Sequence, residues 1–338
     1  MQQLRFSFLI ILISVLTLFT KPMPLSAKTL DTGKKVLVVM SYHQGYSGEE
    51  LLRQGIESVL TSAELRYFYM DTKQNLKQGK KKAKEAFALY NQFKPDAVIA
   101  ANDNAQALFV VPYLKNRVKT PVIFCGVNNS AEKYAYPCQN VTGILEKKHY
   151  REGISFAQLL DPKLKTVGVI YKDNPSNRSN LAQINQEKES YTAEITEAIE
   201  VKTLAEAKQT VHALGNRTDA ILFLNLTGLA DAQGRPMEGK KVLVKLLDGY
   251  GKTTIGADLW ELKAGLLCGV IQSDVEQGSL ASYMLLRHWQ GTSLQNIPLD
   301  QNRNGQRHIN IATLKKIGLK LPPEAALGTE IILPEIEL

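Results

Sequence analysis

Short apolar runs rich in β-branched residues alternate with longer amphipathic segments along most of this chain, in two successive series. In the first, residues 35–40 (KVLVVM), 65–70, 97–101 and 121–127 read as strands, and 49–62, 77–93 and 104–116 as helices. In the second, 166–171 (TVGVIY), 195–201, 219–226 and 253–257 read as strands, separated by helices near 177–191, 203–214 and 238–250. Strands that are apolar throughout, rather than at every second position, are covered on both faces, so parallel sheets flanked by helices are expected. The expected fold class is α/β, with two Rossmann-like lobes, a further helix over 275–289 and a short tail. The length of 338 residues agrees with about two domains. Such sheets meet their ligands at the carboxyl ends of the strands, where helix N-termini also point.

The loops at those ends are polar and aromatic. After the first strand comes Ser41-Tyr42-His43-Gln44-Gly45-Tyr46, in which two tyrosines bracket a histidine and a glycine permits close backbone approach. That suits stacking and hydrogen bonding of a small organic ligand; a glycine turn whose tyrosines cover the sheet is the alternative. Asn102-Asp103-Asn104 follows the third strand and Asn128-Asn129-Ser130 the fourth. The second series supplies Asn174 and Ser176, Asn225, and the pair Asp258 and Trp260. Each amide or hydroxyl is as good a helix cap as a ligand contact, and Trp260 suits lobe packing as well as closing over a ligand. Their joint occurrence at successive strand ends favours binding.

Other classes are poorly served. No nucleophile elbow, zinc-protease helix or dinucleotide fingerprint occurs, and Gly251-Lys252-Thr253 lacks the first glycine of a phosphate loop, whose place Leu246 takes. No enzymatic activity and no cofactor are expected. The five histidines have no ligand spacing with one another or with the cysteines, so no metal is expected either. Of the three cysteines, Cys125 and Cys268 lie in apolar strand-like runs and read as buried thiols, while pairing of Cys125 with Cys138 stays open. The lysine-rich run 77–84 falls on an amphipathic helix with Ala83, Phe87 and Tyr90 on its apolar face, so it reads as a solvated face, and nucleic acid is not an expected partner.

The first 27 residues set the compartment. A short basic start, the apolar stretch 6–19 and Ala27 before Lys28 compose a cleavable secretory signal, the apolar run being shorter than the ~20 residues a span needs. Its removal lowers the formal charge from +8 to +6 by taking Arg5 and Lys21. A periplasmic or otherwise extracytoplasmic location follows.

Several strings then carry a resemblance: SYHQGYSGEE (41–50), YMDTK (69–73), PDAVIAANDNA (95–105), PVIFCGVNN (121–129), NVTGILE (140–146), GVIQSDVEQGSLAS (269–282) and INIATLKKIGLKLP (309–322). Together they span about 34–325, and the chain resembles the ABC-transporter substrate-binding proteins of periplasmic-binding-protein-like I fold, the tryptophan-type group among them. The same strings are similar to the sensor regions of some membrane histidine kinases. With no kinase in the sequence, a free binding protein is the expectation, with signalling to a histidine kinase or chemoreceptor as the alternative. The resemblance implies two lobes joined by a three-strand hinge, crossed near 146–148, 269–273 and Pro298. Lobe one would hold 34–146 plus 272–298, and lobe two 147–271 plus 299–338. It also implies that Tyr42, His43, Tyr46, Asn102, Asp103 and Asn128 face the cleft from one lobe and Asn174, Ser176, Asn225, Asp258 and Trp260 from the other. A monomer that passes an amino acid or other small organic solute to an ABC permease is the implied function.

Overall fold

The computed structural model describes residues 29–333, so the secretory-signal reading over 1–27 lies outside the described residues. The first series of strands is β1 (Lys35–Met40), β2 (Glu64–Tyr69), β3 (Ala97–Ala101), β4 (Val122–Val127) and β5 (Val141–Leu145). The second is β6 (Thr166–Tyr171), β7 (Glu194–Glu200), β8 (Ala220–Phe223), β9 (Thr253–Ile255) and β10 (Cys268–Gln272), followed by β11 (Asp300–Gln301), β12 (Gly305–Asn310) and β13 (Thr329–Ile332). The α-helices are α1 (Ser47–Val59), α2 (Gly79–Phe93), α3 (Asn102–Ala105), α4 (Tyr150–Leu160), α5 (Pro175–Glu187) and α6 (Leu204–Arg217). They continue with α7 (Gly239–Leu247), α8 (Leu259–Lys263), α9 (Asp274–Trp289), α10 (Ile311–Lys316) and α11 (Pro323–Ala326).

One sheet has the order β2-β1-β3-β4-β5-β11 and is wholly parallel. The other runs β7-β6-β8-β9-β10-β12-β13, in which β12 and β13, parallel to each other, run opposite to the other five strands. Each sheet therefore reverses its direction of winding beside its first strand, between β1 and β3 and between β6 and β8. Such a reversal opens a crevice at the strand ends.

The continuous apolar runs form the central strands because both faces are covered. Val36, Val38 and Met40 pack with Leu52, Ile56, Ala281 and Leu285 of α1 and α9, while Leu37 and Val39 pack with Ala83, Ala86 and Phe109 on the other side. The second sheet divides in the same way, Val167 and Val169 meeting Tyr150, Ile154 and Ile184, and Ile170 meeting Val211, Leu214 and Val242. Each such fully buried aliphatic side chain stabilises the fold by about 1.5–3 kcal/mol. At the edges β2 and β7 are partly exposed, which accounts for their charged positions.

The chain passes between the sheets at 146–149, at 273 and at 302–304. The third passage follows Gln301 rather than Pro298, since Asp300 and Gln301 still pair with Ile144 and Leu145. On its return the chain forms α9 against α1, where Gly55 and Gly278 let the two backbones touch: a Cβ at Gly55 would collide with the Val275 carbonyl, and one at Gly278 with that of Leu52. This close pairing brings the first turns of α1 and α9 to the same end of the first sheet.

Candidate functional site

Ser41, at the end of β1, is held by two bonds: its hydroxyl donates to the Ala101 carbonyl at 2.6 Å and accepts the Ala105 N–H at 2.8 Å. The 42–46 loop is thereby fixed to the start of α3. Beneath it lies Glu49, 1% exposed, in the first turn of α1. Its Oε1 accepts from the Tyr42 N–H at 2.8 Å and from Asn102 Nδ2 at 3.0 Å, whereas Oε2 has no donor. Burial, with the charge of Asp274 adding, pushes the Glu49 carboxyl up to about 7 against the pull of those hydrogen bonds. Asn102 has φ +65° and lies opposite Gly126, also at φ +65°, where a Cβ would come within 2.6 Å of Asn102 Oδ1. Glycine is required there.

The aromatic residues of this loop stand together. Tyr42 and Tyr46 meet edge to face at 5.2 Å between centroids, and His43 lies 5.7 Å from Tyr46. Lys73 Nζ sits 4.0 Å from the Tyr46 centroid and 4.9 Å from that of Tyr42, and donates to the Tyr46 hydroxyl. Burial pushes the Tyr42 phenol up, and the charges of Glu49 and Glu146 add to it.

Asp103 organises the neighbouring loop. It accepts from the N–H groups of Asn128 at 3.1 Å and Asn129 at 3.3 Å and from the Tyr134 hydroxyl at 2.7 Å. Asn128 Nδ2 reaches Glu146 Oε2 at 3.4 Å, and its carbonyl accepts from Ser179 Oγ of α5 at 2.7 Å. That last bond joins the two lobes.

Where the chain first passes between the sheets, Lys148 Nζ lies 3.1 Å from Glu146 Oε1 and 2.9 Å from Asp258 Oδ1. Burial disfavours its charge, but Asp258 and Glu146 prevail and hold the amine well above its ordinary range. Gln272 Nε2 donates to the same Glu146 Oε1 at 2.8 Å, leaving Gln272 Oε1 without a donor. Asp274, first residue of α9, is pushed up to about 7 by burial and by Glu146. Glu261 Oε2 accepts from the N–H groups of Ala257 and Asp258, and burial with the Asp258 charge raises it to about 8.

Of the remaining expected residues, Asn174, Asn225 and Trp260 have local partners. Asn174 caps α5 by accepting from Asn177 N at 2.8 Å, Ser176 is exposed, and Asn225 Oδ1 accepts from Thr227 N at 2.8 Å. Trp260 packs inside lobe two, within 2.7 Å of where a Cβ at Gly239 would stand. The structure thus groups Tyr42, His43, Tyr46 and Asn102, links Asp103 to Asn128, and connects Asp258 through Lys148 to Glu146. Sequence reasoning missed Glu49, Lys73, Ser179, Gln272 and Asp274 as site residues. Asn177, also missed, is fully buried and bonds the Lys172 and Asn225 carbonyls at 2.8 Å each, tying together the loops after β6 and β8.

The three cysteines are free thiols, Cys125 and Cys268 buried. Among the described residues no group of three or more His, Cys, Asp or Glu side chains is placed to hold a metal ion, and no helix is long and apolar enough to cross a membrane. Two surface concavities lie outside this region. One, of about 390 Å³, opens beside Tyr250, and the other, of about 570 Å³, is lined by Arg151, Phe156 and Arg307.

A family model described as ABC transporter substrate binding protein matches residues 39–328. Among solved structures the chain is similar to the ABC domain in complex with L-Trp from Streptococcus pneumonia, at 17% identity and TM-score 0.62, over 88% of this chain and 99% of that one. It is also similar to a ligand-free, open substrate-binding protein with adhesive properties from Clostridium difficile, at 16% identity and TM-score 0.69, over 89% and 100%. A conserved domain protein from Vibrio cholerae aligns at 16% identity and TM-score 0.61, over 88% and 99%. At such identities the likeness speaks for the fold. No curated protein matches the chain.

Proposed function

The chain belongs to the ABC transporter substrate-binding protein family, and on that premise we propose that it captures one small organic solute between its lobes, outside the cytoplasmic membrane, and presents it to an ABC permease. The observation that carries this reading is a pair of buried acceptors without donors, Glu49 Oε2 in the first turn of α1, beside the reversal of the first sheet, and Gln272 Oε1 at the end of β10 in the second. Buried polar atoms are nearly always paired, so unpaired ones at a crevice are groups awaiting a ligand.

In this account the solute first settles on lobe one, against the rings of Tyr42 and Tyr46 with His43, Asn102 and Asn128 beside them. Lobe two then closes from the side of Ser179, Asp258 and the loops carrying Asn174, Ser176 and Asn225. Open and closed forms exchange, and contacts made only in the closed form set the balance between them. The closed pair of lobes is the surface a permease reads. No bond in the solute changes. The neighbour from Streptococcus pneumonia holds L-Trp, and a flat aromatic solute of that kind suits the paired tyrosines.

The test begins with protein unfolded and refolded to strip any captured molecule, then screened by thermal shift against amino acids, aromatic metabolites, nucleosides and sugars. A binder at 100 times its dissociation constant adds about 2.7 kcal/mol of stability. A clear shift from one chemical class, with the compound recovered unchanged, is the expected result. A shift accompanied by conversion of the compound would contradict the reading.

A further inference from the structure

We infer that the solute is held by a cationic amine, seated against Glu49 and Asp274 with Gln272 beside them; this rests on the solute-binding reading and assigns the charge of its ligand. Glu49 is 1% exposed and spends one carboxylate oxygen on Tyr42 N and Asn102 Nδ2, while the other has no donor. Asp274 makes no ion pair of its own among the described residues, the Lys148 ammonium that it faces being held by Glu146 and Asp258, and its Oδ2 stands 3.3 Å from where a Cβ at Gly48, the neighbour of Glu49, would lie. Gln272 is oriented by its bond to Glu146, so its free atom is the oxygen.

All of these vacant groups are acceptors. A ligand hydroxyl supplies a single donor, and a carboxylate or phosphate supplies none. A primary ammonium supplies three donors and the positive charge. Charge argues the same way. The carboxylates of Glu49, Asp103, Glu146, Asp258 and Asp274 outnumber the ammonium groups of Lys73 and Lys148, and Lys148 is already taken by Glu146 and Asp258. The N-termini of α1 and α9 would welcome an anion, but Glu49 and Asp274 already occupy those first turns.

A proton balance follows. Glu49 faces Asp274 from α9, Lys73 from the loop after β2, and Tyr42 and Asn102 from the loops after β1 and β3; Asp274 faces Glu146, Lys148 and Asp258. Both acids are pushed up to about 7 in the ligand-free protein. Seating an ammonium there displaces the proton, so affinity rises as pH goes from 6 to 8 and binding releases protons.

The experiment uses the stripped protein and two probe mixtures, one of free amino acids and simple primary amines, the other of the same compounds N-acetylated. Thermal shift is read for each, and the compound responsible is titrated by calorimetry at pH 6 and pH 8 against Glu49→Gln and Asp274→Asn. The expected result is a shift from the free-amine mixture alone, tighter binding at pH 8, and a loss of about ten- to hundredfold in each variant. Asp274→Asn has no internal hydrogen bond to lose, so it serves if Glu49→Gln folds poorly. Equal binding of the N-acetylated mixture, binding of amine-free sugars or carboxylates, or unchanged affinity in both variants would overturn the amine assignment and leave the solute-binding reading standing. No shift from either mixture or from any solute class would overturn both.

Discussion

Ser179 Oγ donates a 2.7 Å hydrogen bond to the carbonyl of Asn128, and through it helix α5 of the second lobe touches the loop after β4 of the first. Asn128 is in turn held by Asp103 from below. Under the proposed closure, this bond is one of the contacts that the closed form gains.

Ser179→Ala is therefore expected to shift the lobe equilibrium while leaving each lobe intact. A neutral hydrogen bond of this kind contributes about 0.5–1.5 kcal/mol. Solute affinity should fall by about two- to tenfold in calorimetry, with the urea midpoint unchanged. A lowered midpoint with normal affinity would place the bond in lobe stability instead.

Lys148→Met should cost far more. It removes the one cation between Glu146 and Asp258 and leaves two carboxylates facing each other. Breaking a buried pair destabilises by about 3–5 kcal/mol, and the partial exposure of Asp258 puts this case at the lower end. Urea unfolding would read the loss, and adding Asp258→Asn should restore part of it. Because the amine is held above its ordinary range, its share of stability is present below about pH 10 and fades as pH rises through the folded value.

The acids predict a loss in the same direction, but one that falls near neutrality. Glu49 and Asp274 are raised to about 7 and Glu261 to about 8. An acid raised in the folded state binds its proton more tightly there than in the unfolded chain, so its contribution is lost as pH climbs from the ordinary carboxylate range through the folded value. The melting temperature of the stripped protein should fall between pH 5 and pH 8, and Glu49→Gln should flatten the slope. A melting temperature that rises over that interval would contradict the assignment.

Much of the fold was legible because burial on both faces leaves a plain signature. β1, β3 and β6 are continuous apolar runs and occur where that pattern put them. β5 was not read as a strand, because Gly143 interrupts it; the glycine is there since a Cβ would strike the backbone of Phe124. α4, with Gly153 in its middle, and the polar antiparallel β12 were missed for similar reasons. At the site, the loops after β1 and β3 followed from topology alone. Glu49 and Asp274 did not, because an acid in the first turn of a helix looks the same in sequence whether it meets water or a buried cleft.

Gly55→Ala tests the packing that sets those two acids side by side. The added methyl group would meet the Val275 backbone, which cannot swing aside as a flexible side chain does. A loss of about 3 kcal/mol is expected on unfolding, at the upper end for overpacking. Solute affinity should fall with it, because α9 carries Asp274 away from Glu49. Unchanged affinity would show that α1 and α9 need not touch for binding.

The central claim is that one solute is clamped between the lobes and released unchanged. Small-angle X-ray scattering of the stripped protein, before and after saturation with the free-amine mixture, tests it most directly. The account predicts a contraction in radius of gyration on binding, with the bound compound recovered intact. Binding without contraction, or recovery of an altered compound, would contradict it.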